Sequence, residues 1–134
     1  MTSKPGDAQD EQAVLKVIQD FLDGIENRDK EAMLRLILPE GGATLLRNGK
    51  PLHLSMRGLV DRLPFDRDHK RVESIHDPLI RIDRDIAMAW TPYKFFIDDV
   101  LHHEGTNIFN LHRLDGRWLI SGAADYSRPP EDQD

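Results

Sequence analysis

The chain has 134 residues, 39% hydrophobic and 31% charged, with no cysteine and a formal net charge of −6. That length and balance describe one soluble globular domain with a single core and exclude a disordered chain. They also exclude disulfides, thiolate nucleophiles and cysteine-held metals, and the acidic balance argues against a nucleic-acid partner.

The first twelve residues, MTSKPGDAQDEQ, carry no apolar core and no cleavage pattern, so no secretory signal is expected. No apolar run approaches the roughly 20 residues a membrane helix needs. A cytoplasmic protein with no membrane partner is the expectation. Residues 1–9 and 129–134 are polar and read as frayed tails, leaving one domain over 10–128.

Val14, Val17, Ile18, Phe21 and Ile25 recur at helical spacing, with Leu15 and Leu22 widening the stripe. Asp7 or Asp10 is placed to cap this first helix, and Asn27 to end it. Asp29 caps a second, short helix carrying Ala32, Met33, Leu36 and Ile37, which Pro39, Gly41 and Gly42 stop. ATLLRNGKP reads as a short strand running into a turn at Asn48-Gly49. A third helix starts at Ser55, turns Met56, Leu59, Val60 and Leu63 inward, and ends at Pro64. The basic cluster Arg67, His69, Lys70 and Arg71 is interrupted by Asp66 and Asp68 and followed by Glu73, and reads as a solvated loop.

Beyond that loop the period changes to two. Residues 72–82 form a strand broken by Pro78, as at an edge or a bulge. Asp83-Arg84-Asp85 turns the chain into a strand over 86–97, Asp98-Asp99 into one over 101–114, and Asp115-Gly116 into one over 117–126. Helices first and an antiparallel meander last make an α+β fold, with the helices on one face of a curved sheet.

The last three strands carry a pattern. Trp90, Pro92, Tyr93 and Phe95 are followed by His103, Gly105, Asn107, Phe109 and Leu111, then by Gly116, Trp118, Ile120, Asp125 and Arg128. In this order the chain resembles the nuclear transport factor 2-like superfamily over roughly residues 10–128, and most closely its lumazine-binding bacterial subgroup. The resemblance implies a cone-shaped α+β barrel, cystatin-like, of the kind that also serves small polyketide cyclases, ketosteroid isomerase and scytalone dehydratase. It departs from several of these families where a pocket histidine is expected on the last strand, because the stretch reads Gly122-Ala123-Ala124-Asp125. Their catalytic sets therefore do not carry over.

Alternation puts Tyr93 and Phe95 on one face with Ala87 and Ala89, and Asn107 with Phe109 on one face of the next strand. These rings either wall an apolar pocket with a few polar tips or fill the cone as core. His103 is the candidate general acid/base or ligand hydrogen-bonder, because histidine titrates near neutral pH. His76 is a second candidate on a neighbouring strand. Asp125 beside apolar rings is a candidate base, with an ion pair to Arg113, Arg117 or Arg128 as the plainer role. His102, Glu104 and His112 lack ligand spacing, so neither metal nor cofactor is expected. Trp118 reads as structural, Trp90 as facing away from Tyr93, and Gly105 as a bulge. The function expected is small-molecule binding, as a homodimer formed through the outer sheet face. The alternatives are an acid/base enzyme of isomerase, dehydratase or cyclase type and a protein-interaction module. A titratable group deep in the cone separates enzyme from binder.

Overall fold

The stripe of the first helix organises the core. In the computed structural model, which describes residues 8–130, α1 spans Ala8–Asn27. It buries Val14, Ile18, Phe21, Leu22 and Ile25. Asp10 sits in its first turn, where the helix dipole favours an acid. Asp7 lies outside the described residues.

The second helix, α2, spans only Lys30–Leu34. Asp29 caps it as expected, its carboxylate accepting from the Ala32 N–H at 3.0 Å. Ile37 is not helical. It opens β1 (Ile37–Arg47), because the Leu36 carbonyl accepts from the Ile120 N–H at 2.8 Å and Ile37 pairs with Ile120. Pairing with a distant strand overrides the helical spacing. Pro39 and Gly41 fall inside β1 at an irregular stretch of its ladder, where such residues are tolerated.

Asn48 and Gly49 both have positive φ, and the chain folds back into β2 (Lys50–Ser55), a strand the spacing did not indicate. Ser55 then caps α3 (Met56–Asp61), accepting from the Gly58 N–H at 2.9 Å. The stretch expected as one strand is two, β3 (Arg71–Ile75) and β4 (Leu79–Asp83), separated at Pro78 and both antiparallel to β5 (Ile86–Ile97). β6 (Val100–Leu114) and β7 (Arg117–Arg128) complete the meander. Asp98-Asp99 and Asp115-Gly116 have positive φ at both residues, the conformation that matches strand twist in a two-residue hairpin.

The seven-stranded sheet runs β2-β1-β7-β6-β5-β3, with β4 also on β5. It is mixed rather than antiparallel, since β1 runs parallel to β7. The β1–β2 hairpin inserted before α3 brings β1 to the free edge of the last strand. Two residues bulge. Phe95 pairs with His103 and Phe96 with Leu101, which leaves His102 extra. Asn110 pairs with Gly122 and Leu111 with Ile120, which leaves Ser121 extra.

Gly105 is not a bulge. It pairs regularly with Tyr93 and Ser127. A Cβ there would lie 1.9 Å from the Tyr126 carbonyl oxygen, so close backbone approach demands glycine. α1 packs on the inner sheet face, where Phe21 meets Phe109 edge-on at 6.3 Å between ring centres. Trp118 is buried under the Arg113 guanidinium, 4.8 Å above its ring, in the structural role expected. Among the described residues no helix is long and apolar enough to cross a membrane.

Candidate functional site

The pleat aims Tyr93 and Phe95 of β5, His103, Asn107 and Phe109 of β6, and Ala123 and Asp125 of β7 at one space. Phe21, Leu22 and Ile25 of α1, with Leu59 and Leu63, wall its other side. The space is a cavity of about 190 Å3. Drug-sized ligands occupy roughly 300 Å3 or more, whereas benzene fits an apolar hole of about 150 Å3. The cavity lies between these two sizes. Ala87 and Ala89, expected beside the rings, are buried in the core instead. Ala123 is the small residue in the wall.

Six of the seven expected site residues, Tyr93, Phe95, His103, Asn107, Phe109 and Asp125, line this cavity. His76 does not. It is exposed beyond the end of β3, where its N–H donates to the Pro92 carbonyl at 2.9 Å. His76 shares the parity of exposed Ser74, opposite to inward Glu73 and Ile75, so alternation turns it outward.

Glu73 is the residue the sequence reading missed. It belongs to β3 opposite Phe95, and its carboxyl enters the cavity. Asn107 Nδ2 donates to its Oε2 at 2.5 Å. Burial raises its pKa to about 7, and the nearby Asp125 carboxylate adds to the rise, against the Asn107 hydrogen bond and Arg47. The available signal was its parity with Ile75, which pairs with Tyr93. An acid at an inward position of a strand marks a site rather than a loop.

Asp125 forms an ion pair with Arg47 at 2.7 Å, not with Arg113, Arg117 or Arg128. Arg113 is engaged by Asp10 and Asp85. The parallel β1–β7 ladder, which pairs Leu45 with Asp125, is what brings Arg47 near. Asp125 Oδ1 also accepts from the Tyr93 hydroxyl at 2.9 Å. Burial raises the Tyr93 pKa, and the Asp125 and Glu73 carboxylates add to it, so the phenol stays protonated.

His103 stacks on Phe95 with 4.7 Å between ring centres and meets Tyr93 edge-on at 5.8 Å. The His102 bulge sets the two imidazoles side by side, Nδ1 to Nδ1 at 3.0 Å. Burial lowers the His103 pKa, and His102 and Arg47 lower it further, so His103 favours its neutral form. His103 and Arg47 line both the cavity and an adjoining surface depression with Asn48 and His102, which places the mouth between them. Among the described residues no group of three histidine or carboxylate side chains is placed to hold a metal ion.

This architecture recurs in solved structures. A nuclear transport factor 2-like protein of unknown function from Shewanella baltica is 17% identical with a TM-score of 0.71, covering 97% of this chain and 100% of its own. A cystatin-like protein of unknown function from Nostoc punctiforme is 12% identical with a TM-score of 0.75, covering 92% and 94%. A protein of Novosphingobium aromaticivorans described as a putative scytalone dehydratase is 9% identical with a TM-score of 0.75, covering 90% and 85%. Identities this low establish the fold alone. Comparison with curated proteins finds no match. A family model described as "putative lumazine-binding" matches residues 9–124, from α1 into the last strand, and the chain belongs to that family, with the fold of the nuclear transport factor 2-like and cystatin-like structures.

Proposed function

We propose that the chain binds a compact planar molecule of one or two rings inside the cavity, the helices and sheet closing around it as a cone. The observation that carries this reading is an apolar hole of about 190 Å3 with its polar groups, Glu73, Asn107, Tyr93 and Asp125, gathered among rings. The family's description supports it, since lumazine is a planar two-ring heterocycle of that size class. Fluorescence titration with lumazine is expected to show saturable binding. Ala123→Phe puts a ring into the hole and is expected to weaken that binding at least tenfold, with folding checked by thermal melting. Unchanged affinity in this variant would place any ligand elsewhere and end the cavity reading.

Proton transfer is the second reading, and one observation favours it. Glu73 has a pKa of about 7 inside the hole, the range in which a carboxyl can both take and return a proton. His103 and Asp125 are weaker candidates. Asp125 has both oxygens engaged, and His103 has Nδ1 engaged by His102. In an assay of turnover, Glu73→Gln should abolish activity and His103→Ala should not.

A homodimer through the outer sheet face belongs to the same proposal. Register aligns Leu79, Trp90, Ile108 and Ala124 across four strands, with Leu46 and Tyr126 in the adjacent row. Trp90 faces away from Tyr93, as parity indicates, and is 45% exposed, with Tyr126 at 47% and Leu79 at 44%. A contiguous apolar row left in water costs about 25 cal/mol for each Å2 that a second copy would cover. Light scattering at tens of micromolar is expected to give twice the chain mass, and Trp90→Glu to give the monomer. A monomeric wild-type protein would refute the dimer.

A further inference from the structure

Within the cavity, the hydrogen-bond donors are largely engaged and the acceptors are not. Asn107 Nδ2 donates to Glu73 Oε2, the Tyr93 hydroxyl to Asp125 Oδ1, and Arg47 Nη2 to Asp125 Oδ2. Glu73 Oε1 has no hydrogen-bond partner among the described residues, and Asn107 Oδ1 has none either. The acceptor oxygens of Asp125 and Tyr93 keep lone pairs beyond the bonds they make. Charge points the same way. Two carboxyls, Glu73 and Asp125, face the hole against one guanidinium, and that guanidinium stands at the mouth already paired with Asp125.

From this accounting we infer that the ligand presents N–H donors to Glu73 and Asn107, and that it belongs to the planar amidinium or amino-heterocycle class rather than to carboxylates or phenolates. The inference rests on the cavity reading above and names the chemistry of its occupant. Against ionised Glu73, a ligand that brought only acceptors would leave Glu73 Oε1 and Asn107 Oδ1 desolvated and unpaired, and an anionic one would also meet the two carboxyls. An amidinium edge instead satisfies the open oxygens with charge-assisted hydrogen bonds, and its charge holds Glu73 ionised. The apolar walls of Phe21, Leu22, Phe95 and Phe109 take the ring. Glu73 is the specificity-determining residue in this scheme.

Three probes of nearly one shape test it: benzamidine, benzamide and benzoate, titrated by calorimetry, with amide NMR shifts at Phe109 and Ala123 locating the bound ring. Benzamidine is expected to bind at least tenfold more tightly than either of the others. Glu73→Gln is expected to remove that preference. Benzoate binding as tightly as benzamidine, or a preference that survives Glu73→Gln, overturns the inference. So does failure of all three probes in a protein that binds lumazine, and in each of these cases the cavity reading stands. If neither lumazine nor any probe enters the hole, the cavity reading fails and the inference with it.

Discussion

Raising the pH from about 5 to about 8 is expected to remove roughly 3 kcal/mol of stability through Glu73 alone. In the unfolded chain this carboxyl titrates near 4.3 or so; in the fold it titrates at about 7. Between those values the folded state holds a proton that the unfolded state has released. The contribution is therefore fully present below the unfolded pKa and is lost as pH rises through the folded one. A separation of this size corresponds to about 4 kcal/mol in full, of which roughly 3 falls between about pH 5 and 8. Other groups lie outside the window or oppose it. Asp61, Asp66 and Asp98 have lowered pKa values, held down chiefly by hydrogen bonds from Lys30, the Asp68 N–H and the Lys70 N–H. Their contributions are lost only as pH falls below the ordinary carboxylate range. His103, lowered by burial, loses stability as pH falls through the same window and so masks part of the Glu73 effect. The clean quantity is the difference between wild type and Glu73→Gln. Urea unfolding at both pH values should show the variant gaining on the wild type as pH rises. Parallel pH profiles for the two proteins would mean that Glu73 is not buried in a neutral-favouring site.

Gly105→Ala is expected to cost about 3 kcal/mol or more, at the upper end for overpacking, because the obstacle is backbone rather than a side chain. The added methyl would sit 1.9 Å from the Tyr126 carbonyl oxygen and 2.9 Å from the Ser127 Cα. Relief requires β6 and β7 to separate at the pairs Gly105–Ser127 and Thr106–Tyr126, beside Asp125. The Tyr93–Asp125 hydrogen bond should be lost with the ladder. Gly42→Ala is the control, since a Cβ there meets nothing within 4 Å. Thermal melting should show a large drop for the first variant and little change for the second. Equal melting temperatures would refute the close-approach account.

Much of the fold is local information, and that part the sequence determined by itself. The 3.6-residue stripe of α1 is present in Val14, Ile18, Phe21 and Ile25, and all four are buried. Asp29 and Ser55 cap helices because a short polar side chain reaches the backbone N–H three residues on. Asn48-Gly49 and Asp115-Gly116 turn because these residues tolerate positive φ. Strict alternation along β5 and β6 aims Tyr93, Phe95, Asn107 and Phe109 at one side, and each of them lines the cavity.

Only the tertiary structure decided the rest, because it depends on which distant segments pair. Ile37 has helical spacing but becomes a strand residue once Ile120 lies beside it. β2 exists because it pairs with β1, and its own six residues carry too little pattern to announce it. Asp125 takes Arg47 as its partner because β1 runs parallel to β7, a pairing between segments roughly eighty residues apart. Glu73 is the clearest case. It follows the charged run that ends at Arg71 and reads as a solvated loop, yet register with Phe95 turns it inward, beside Asn107. A carboxyl's environment is set by the low-dielectric walls that other strands bring to it, and no stretch of the chain carries that information alone.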